Sequence, residues 1–289
     1  MYSDLIDELN AEFGVFKRGK FKNITNKKFN TTTDFYEIKT ARQEKIFGKA
    51  KGEYAVLNFG DFVGCNTEAY NYYLNQFKGV LRRFLGEIKS SDVVMVVGLG
   101  NRHISADSLG AAVVGRLVVT RGFVENLPKV CAISPSVFGL TGIETADIVD
   151  AVVNKIKPNI VVFVDALCAS HSERLGRSFQ LSNVPITPGA GVDNTRKKFK
   201  NTPRVVSIGV PFVVYSSTFI KTALAECGLN ETDFKEKLPQ KQADKYNDIM
   251  LKMDEQLVTL KDIEECIGAA GRLIATALNS VILGINKLD

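Results

Sequence analysis

Asp107 and Asp165 are the residues around which a reaction can be built. Asp107 lies in "VVGLGNRHISADSLGAAVV", residues 96–114, after an apolar run that ends in Gly98-Leu99-Gly100-Asn101; Asp165 closes "NIVVFVD", residues 159–165. A carboxylate ending so apolar a run is costly unless it is paired or used. Two carboxylates brought face to face cannot both ionise easily, so one pKa rises and the pair shares a proton. Such a pair can activate a water with one group and protonate a substrate carbonyl with the other. Taken singly, Asp107 is better explained as a first-turn acid that complements a helix dipole. The second acid makes the catalytic reading the stronger one.

Other residues compete for roles around this pair. Gly98, Gly100 and Asn101 would shape the cleft, with Asn101 able to orient a substrate carbonyl. A dinucleotide-binding loop would need a third glycine where His103 stands, and no lysine-serine or lysine-threonine follows, so phosphate binding is disfavoured. Glu144 closes "TGIE" (141–144); it is either a cleft residue or, preferably, the partner of Thr141 in a capping box. Cys168 and His171 in "CASH" have nucleophile-and-base types, but their spacing guarantees neither a positioned base nor an oxyanion site. "TPGAGVDNTRKK" (187–198) carries Asp193, Arg196 and Lys197 in a glycine-rich loop that either binds a peptide backbone or carboxylate or is an exposed turn. With two histidines in the chain, a multi-histidine metal site is excluded, and neither a metal nor another cofactor is expected.

These side chains need a scaffold. "VVMVVG" (93–98), "KVCAIS" (129–134), "NIVVFVDAL" (159–167) and "RVVSIGVP" (204–211) are short apolar runs of the kind buried on both faces of a parallel sheet, and "EYAVLNF" (53–59) also reads as a strand. Between them, residues 68–89 place Tyr73, Phe77, Val80, Leu81, Phe84 and Leu85 on one helical face. Helices are also expected over 106–119, with Ser105 as N-cap, and over 141–157, with Ile148, Val149, Val152, Val153 and Ile156 inward and Pro158 as the stop. The alternation implies an α/β fold, a mostly parallel or mixed central sheet flanked by helices. Asp107 and Asp165 then both fall at the carboxyl edge, where open α/β sheets place their sites. They converge if their strands are neighbours. Residues 1–50 read as polar and irregular, with helical stretches at 3–12 and 40–48. Residues 231–256 read as a solvated helical insertion. Residues 259–283 read as an amphipathic helix with Ile263, Ile267, Leu273 and Leu278 available for burial. The 289 residues are read as a single domain with an irregular N-terminal segment and a helical C-terminal extension (231–289).

Composition sets limits on function. The chain is 45% hydrophobic and 24% charged with a formal charge of +5, which is ordinary globular composition. Lys and Arg are denser at 17–28 and 196–204, but aromatic residues do not interleave with them as single-strand binding would want, so direct nucleic-acid binding is not expected. The balance supports only weak steering of acidic substrates. Five cysteines without a CxxC pair suit reduced, mostly buried thiols in a cytosolic protein. The N-terminus shows no signal peptide. The longest apolar runs, about eight residues, fall short of a membrane span.

The motifs "VVGLGN" with "DSLG", "TRGF", "AISPSVFGLTGIET", "KPNIVVFVDALCA", "QLSNVPITPGAGVDNTRK", "IGVPFVV" and "TLKDIEECIGAAGRLIATALN" occur in this order over roughly residues 50–283. With them the sequence resembles the germination protease family of spore-forming bacteria. The resemblance implies an atypical aspartic endopeptidase whose two essential aspartates match Asp107 and Asp165, a phosphorylase/hydrolase-like fold shared with hydrogenase-maturation endopeptidases, and a homotetramer. It further implies a zymogen that loses a short N-terminal propeptide. The implied substrates are small acid-soluble spore proteins, cut in the cytoplasm of the forespore or spore core at an acidic and apolar motif. The chain departs from the family pattern at Arg102-His103, Ser105-Ala106, Cys168 and Asp193, and its "SDLIDE" (3–8) only faintly echoes the family's N-terminal segment. Two other readings remain: a metal-dependent maturation endopeptidase using Asp107, a further acid and His103 or His171, and a catalytically silent paralogue that binds protein.

Overall fold

The computed structural model describes residues 2–16, 24–60, 62–186, 204–229 and 231–285. The elements run α1 (Ile6–Phe13), β1 (Ile24–Asn26), β2 (Thr31–Ile38), α2 (Ala41–Phe47), β3 (Gly52–Asn58), α3 (Thr67–Leu85), β4 (Val93–Gly98), a 3-10 turn (Ser105–Asp107), α4 (Leu109–Val114), β5 (Lys129–Ile133), α5 (Phe138–Thr141), α6 (Thr145–Ile156), β6 (Ile160–Ala169), a second 3-10 turn (Ser172–Arg174), β7 (Ser178–Ser182), β8 (Arg204–Tyr215), α7 (Ser216–Glu226), α8 (Glu231–Glu236), α9 (Gln240–Asp254), β9 (Leu257–Thr259) and α10 (Ile263–Leu283). The nine strands form a sheet of order β1-β2-β3-β7-β8-β6-β4-β5, with β9 pairing on β8.

The sheet is mixed. The pairings β4–β5, β4–β6 and β6–β8 are parallel; β1–β2, β2–β3, β3–β7, β7–β8 and β8–β9 are antiparallel. The parallel strands are the uninterrupted apolar runs, covered on both faces as such runs require. On one face α3, α4 and α10 pack over Val94, Val96, Val162, Val164, Val206 and Ile208. The inward face of α3 is the one its spacing predicts, with Tyr73, Phe77, Val80, Leu81, Phe84 and Leu85 buried, and Asn66 caps the helix by accepting from the Ala69 N–H at 2.9 Å. By length and composition α10 is long and apolar enough to cross a membrane, although no run within it is uniformly apolar. Of its most apolar window, 72% is buried inside the protein, and Ile267, Leu273 and Leu278 are among the buried side chains, whereas Ile263 is only partly covered.

The second face carries two separate apolar patches. Over β4, β6 and the start of β8, α6 covers Met95, Val97, Val161, Phe163 and Val205. Over β2 and β3, α1 and α2 cover Ile38, Tyr54 and Val56. Between the patches the same side of β7 and β8 presents the buried Gln180, Ser182, Ser207 and Gly209, and a cavity of about 230 Å³ opens there.

Several expectations need correction. Residues 1–50 are not merely irregular: helices form near the expected places, but β1 and β2 extend the sheet, and β2 was missed because "TTTDFYEI" is buried on one side only. The segment 106–119 is not one helix. A 3-10 turn precedes a six-residue α4, and Ser105 caps neither; its carbonyl accepts the Ser108 hydroxyl instead. Helix α6 begins at Thr145, with Glu144 as its N-cap and no side-chain cap hydrogen bond, so the Thr141–Glu144 capping box does not form. The Thr141 hydroxyl serves the preceding turn, accepting from the Ile143 N–H and placing its one hydrogen within reach of either the Ile143 or the Val137 carbonyl.

Candidate active site

Strands β4 and β6 are parallel neighbours, with Gly98 opposite Val164. The ladder continues one residue further through the Leu99 N–H, which donates to the Val164 carbonyl at 2.8 Å. The loop after β4 therefore begins beside Asp165.

Glycines let that loop close. A Cβ on Gly98 would lie 2.2 Å from the Gly110 carbonyl oxygen, and one on Gly110 would lie 2.3 Å from the Leu99 carbonyl oxygen, so the end of β4 and the start of α4 touch backbone to backbone. Gly100 has φ +93°, and a Cβ there would sit 2.2 Å from the Asp107 carbonyl oxygen. A side chain at this position would be both strained and excluded. The loop folds back so that the Asn101 N–H donates to Asp107 Oδ2 at 2.7 Å, while Asn101 Oδ1 accepts from the His103 N–H at 2.9 Å. Gly98, Gly100 and Asn101 thus hold Asp107 in place, and the Asn101 side-chain oxygen organises the loop.

Asp165 is 8% exposed and accepts from the Ala166 N–H at 3.0 Å. Its pKa stands well above the ordinary carboxylate range. Burial is the largest cause, the charge of Asp107 the next and that of Asp4 the third, against the Ala166 hydrogen bond. The two acids are therefore brought together at the carboxyl edge, as the sequence leads one to expect, and one of them resists ionisation.

The third acid is a residue that sequence reasoning missed. The N-terminal segment crosses the end of β6: the Asp4 N–H donates to the Cys168 carbonyl and Asp4 Oδ2 accepts from the Cys168 N–H, both at 2.9 Å. Gln180 of β7 fixes the same segment, donating to the Asp4 carbonyl and accepting from the Ile6 N–H. Glu8 adds a polar clamp. It accepts from the Ser170 N–H at 2.7 Å, from the Ser3 hydroxyl, and lies 3.0 Å from His171 Nδ1. Arg174 pairs with Asp7. Burial pushes the Glu8 pKa up, but the bonds from His171, Ser170 and Ser3 outweigh it and the net shift is downward. The Glu8 hydrogen bond raises that of His171. The only sequence signal for this arrangement was the faint "SDLIDE" match.

Other candidates fall elsewhere. Glu144 is half-buried at the start of α6 and has no described link to the acid pair. Asp193 and Lys197, with the rest of 187–198, lie outside the described residues, as does most of the basic stretch 17–28. Cys168 is buried with its thiol pKa pushed up by burial, Asp4 and Glu8, and His171 turns to Ser170 and Glu8, so the pair is not an activated nucleophile. Among the described residues no three His, Cys, Asp or Glu converge in the geometry of a metal site, and His171 as a third ligand is already engaged by Glu8. The described cysteines are all free thiols.

The molecule is an α/β protein with two acids at the carboxyl edge of a mixed sheet, one of them with its pKa raised by burial and by the charge of the other. Residues 20–227 match the family of germination proteases. The germination protease of Clostridium tetani is 34% identical over 274 residues, covering 85% of this chain and 83% of its own. That of Caldanaerobacter subterraneus is 36% identical over 193 residues, covering 63% and 59%. Among solved structures, the [NiFe] hydrogenase maturation protease HycI of Thermococcus kodakarensis aligns with TM-score 0.37 and 18% identity, over 69% of this chain and 99% of that one. The chain belongs to the germination protease family.

Proposed function

We propose that this protein is an endopeptidase of spore germination that cleaves small acid-soluble spore proteins, using Asp107 and Asp165 without a metal. One observation carries the mechanism: a buried carboxyl pushed strongly upward beside a second carboxylate that a backbone N–H holds in place. Asp165 keeps the shared proton. The Asp107 carboxylate takes a proton from a water as its oxygen attacks the scissile carbonyl carbon, and Asp165 gives its proton to the carbonyl oxygen. Collapse of the tetrahedral intermediate returns a proton from Asp107 to the leaving amine, and Asp165 regains its own from the collapsing hydroxyl. Family membership supports the spore-protein substrate, the forespore setting and a homotetramer.

The test is incubation with a small acid-soluble spore protein and mass spectrometry of the products. Discrete fragments from the unmodified chain and none from Asp107→Asn or Asp165→Asn are expected. Intact substrate in every arm would return the protein to a binding role, and fragments that vanish on chelation would favour the metal-dependent reading.

A further inference from the structure

The sheet ends in β1 on one side and β5 on the other. An open edge is a template for a further strand, and native chains blunt it by shortness or by charge. β1 is blunted: it has three residues and runs into Lys27 and Lys28. β5 is not, since Val130, Cys131, Ala132 and Ile133 carry no charge. Part of its outer side is covered. The Thr120 and Arg121 N–H groups donate to the Val130 carbonyl, and the Val130 N–H donates to the Thr120 hydroxyl. Peptide groups alternate in direction along a strand, so Ala132 and, one step past the strand, Ser134 also face outward. Among the described residues no hydrogen bond reaches either peptide group from that side.

Exposed apolar side chains flank this edge. At its amino end the turn after α4 puts out Phe123, 80% exposed, with Val119 and Val124; at its carboxyl end stand Phe138, Leu140 and Ile143, each about half exposed. Single exposed apolar residues need no explanation, but two groups on one strand do. Charge divides in the same way. Arg121 and Lys129 outweigh Glu125 at the amino end, while Glu144 and Asp147 make the carboxyl end negative.

We propose that the outer edge of β5 is a contact between two copies of this chain, which continues the sheet across the pair. A two-fold axis normal to the sheet at Ile133 makes the two β5 strands antiparallel. Ala132 then faces Ser134 of the other copy, and these pairs exchange peptide hydrogen bonds clear of the turn bound to Val130. Each end of the joint combines the amino flank of one copy with the carboxyl flank of the other, apolar with apolar and positive with negative. One patch thus complements itself, as an isologous contact requires. The Phe123 turn of the second copy comes to the edge of the sheet that carries Asp107 and Asp165. A substrate strand is the poorer occupant: added to β5 it would lie three strand spacings, roughly 14 Å, from β6, out of reach of Asp165. The proposal rests on the homotetramer reading for the existence of a partner and adds where one contact lies.

The experiment measures the mass of the full chain and its variants in solution by sedimentation, without substrate. Ala132→Pro removes an outward N–H, a change that an edge strand tolerates. Phe123→Lys and Leu140→Lys put charge into the two flanks. Each should raise the dissociation constant of the contact by about tenfold or more, whereas Leu251→Lys, on α9 and 66% exposed, should leave it unchanged. A second readout stays decisive if Ala132→Pro fails to fold. In a background where the exposed Cys227 is replaced by serine, Ile133→Cys places two thiols across the axis as a non-hydrogen-bonded pair, about 4.5 Å between Cα atoms, within disulfide range. Oxidation should give a covalent dimer that the same background without Ile133→Cys does not give. Assembly unchanged by the β5 and flank variants, or a self-associating chain that yields no such dimer, overturns the proposal and leaves the homotetramer reading standing. A chain that stays monomeric overturns both. Cleavage is not read, so failure of the endopeptidase reading does not alter the result.

Discussion

Asp165 is approached from two sides that are built differently. On one side the Asp107 loop is locked by backbone: Gly98 against Gly110, Gly100 against Asp107, and a peptide N–H on the carboxylate. On the other, the Asp4 segment makes one backbone hydrogen bond to Cys168 and is otherwise held by side chains, through Gln180, Glu8, His171 and Arg174. Backbone interlock tolerates no substitution and leaves little freedom. A clamp of ionisable side chains responds to pH and to single charge changes. The first design suits a group that must sit in reacting geometry; the second suits a segment whose grip can be adjusted.

The largest effect expected is on the acid pair itself. Asp107→Asn and Asp165→Asn should each lower cleavage by a factor on the order of 10³ or more, whereas Asp4→Asn, on the adjustable side, should leave most of it. Comparable losses in all three would erase the distinction between the two sides. The stability of Asp165→Asn adds a sign test. The folded pKa of Asp165 is raised, so the folded state holds a proton that the unfolded chain releases above about 3.9. That contribution is fully present below the unfolded value and is lost as pH rises through the folded one. Wild type should therefore lose stability relative to Asp165→Asn as pH climbs through this window, and a flat difference in melting temperature would count against a proton on Asp165.

Next in size comes the loop. Gly98→Ala and Gly100→Ala force a methyl to within 2.2 Å of a carbonyl oxygen. Each should destabilise by about 1–3 kcal/mol and lower activity beyond the loss of folded protein, since either movement displaces Asp107. Chemical melts paired with single-turnover assays on the folded fraction separate the two effects. A Gly100→Ala enzyme with normal turnover would show that Asp107 does not need this loop.

How much of this could be read from the chain follows the same division. The parallel strands were legible because both their faces are buried, which leaves uninterrupted apolar runs. The antiparallel half was not: β7, "SFQLS", is polar toward the cavity, β2 alternates, and β9 has three exposed residues. Asp107 and Asp165 were legible because each follows such a run and the edge of an α/β sheet is where the strands deliver them. The helix-capping roles of Ser105 and Glu144 were misjudged, since a tight glycine-closed loop overrides local propensity. Asp4 left only the faint "SDLIDE" likeness as a trace, because its bond to Cys168 spans 164 positions.

The clamp supplies the smaller effects. Glu8→Gln keeps one acceptor for the Ser170 N–H but removes the charge that His171 and Arg174 face, and should cost roughly 1–3 kcal/mol as a buried charge-assisted contact. Smaller still is the pH dependence of His171. Its pKa is raised by Glu8, so its contribution is complete below the ordinary imidazole value of about 6.5 and disappears as pH rises through the higher folded value. The difference in melting temperature between wild type and His171→Asn should accordingly be greatest in mild acid and shrink toward alkaline pH, while the same scan on Gly98→Ala against wild type stays level. Because the ring is partly exposed, the change should be modest and weakened by salt. A His171→Asn difference as level as that of Gly98→Ala would mean that the His171–Glu8 contact adds nothing to the bonds of Gln180, Cys168 and Arg174 on the N-terminal segment, and that this approach to Asp165 is no more responsive to pH than the other.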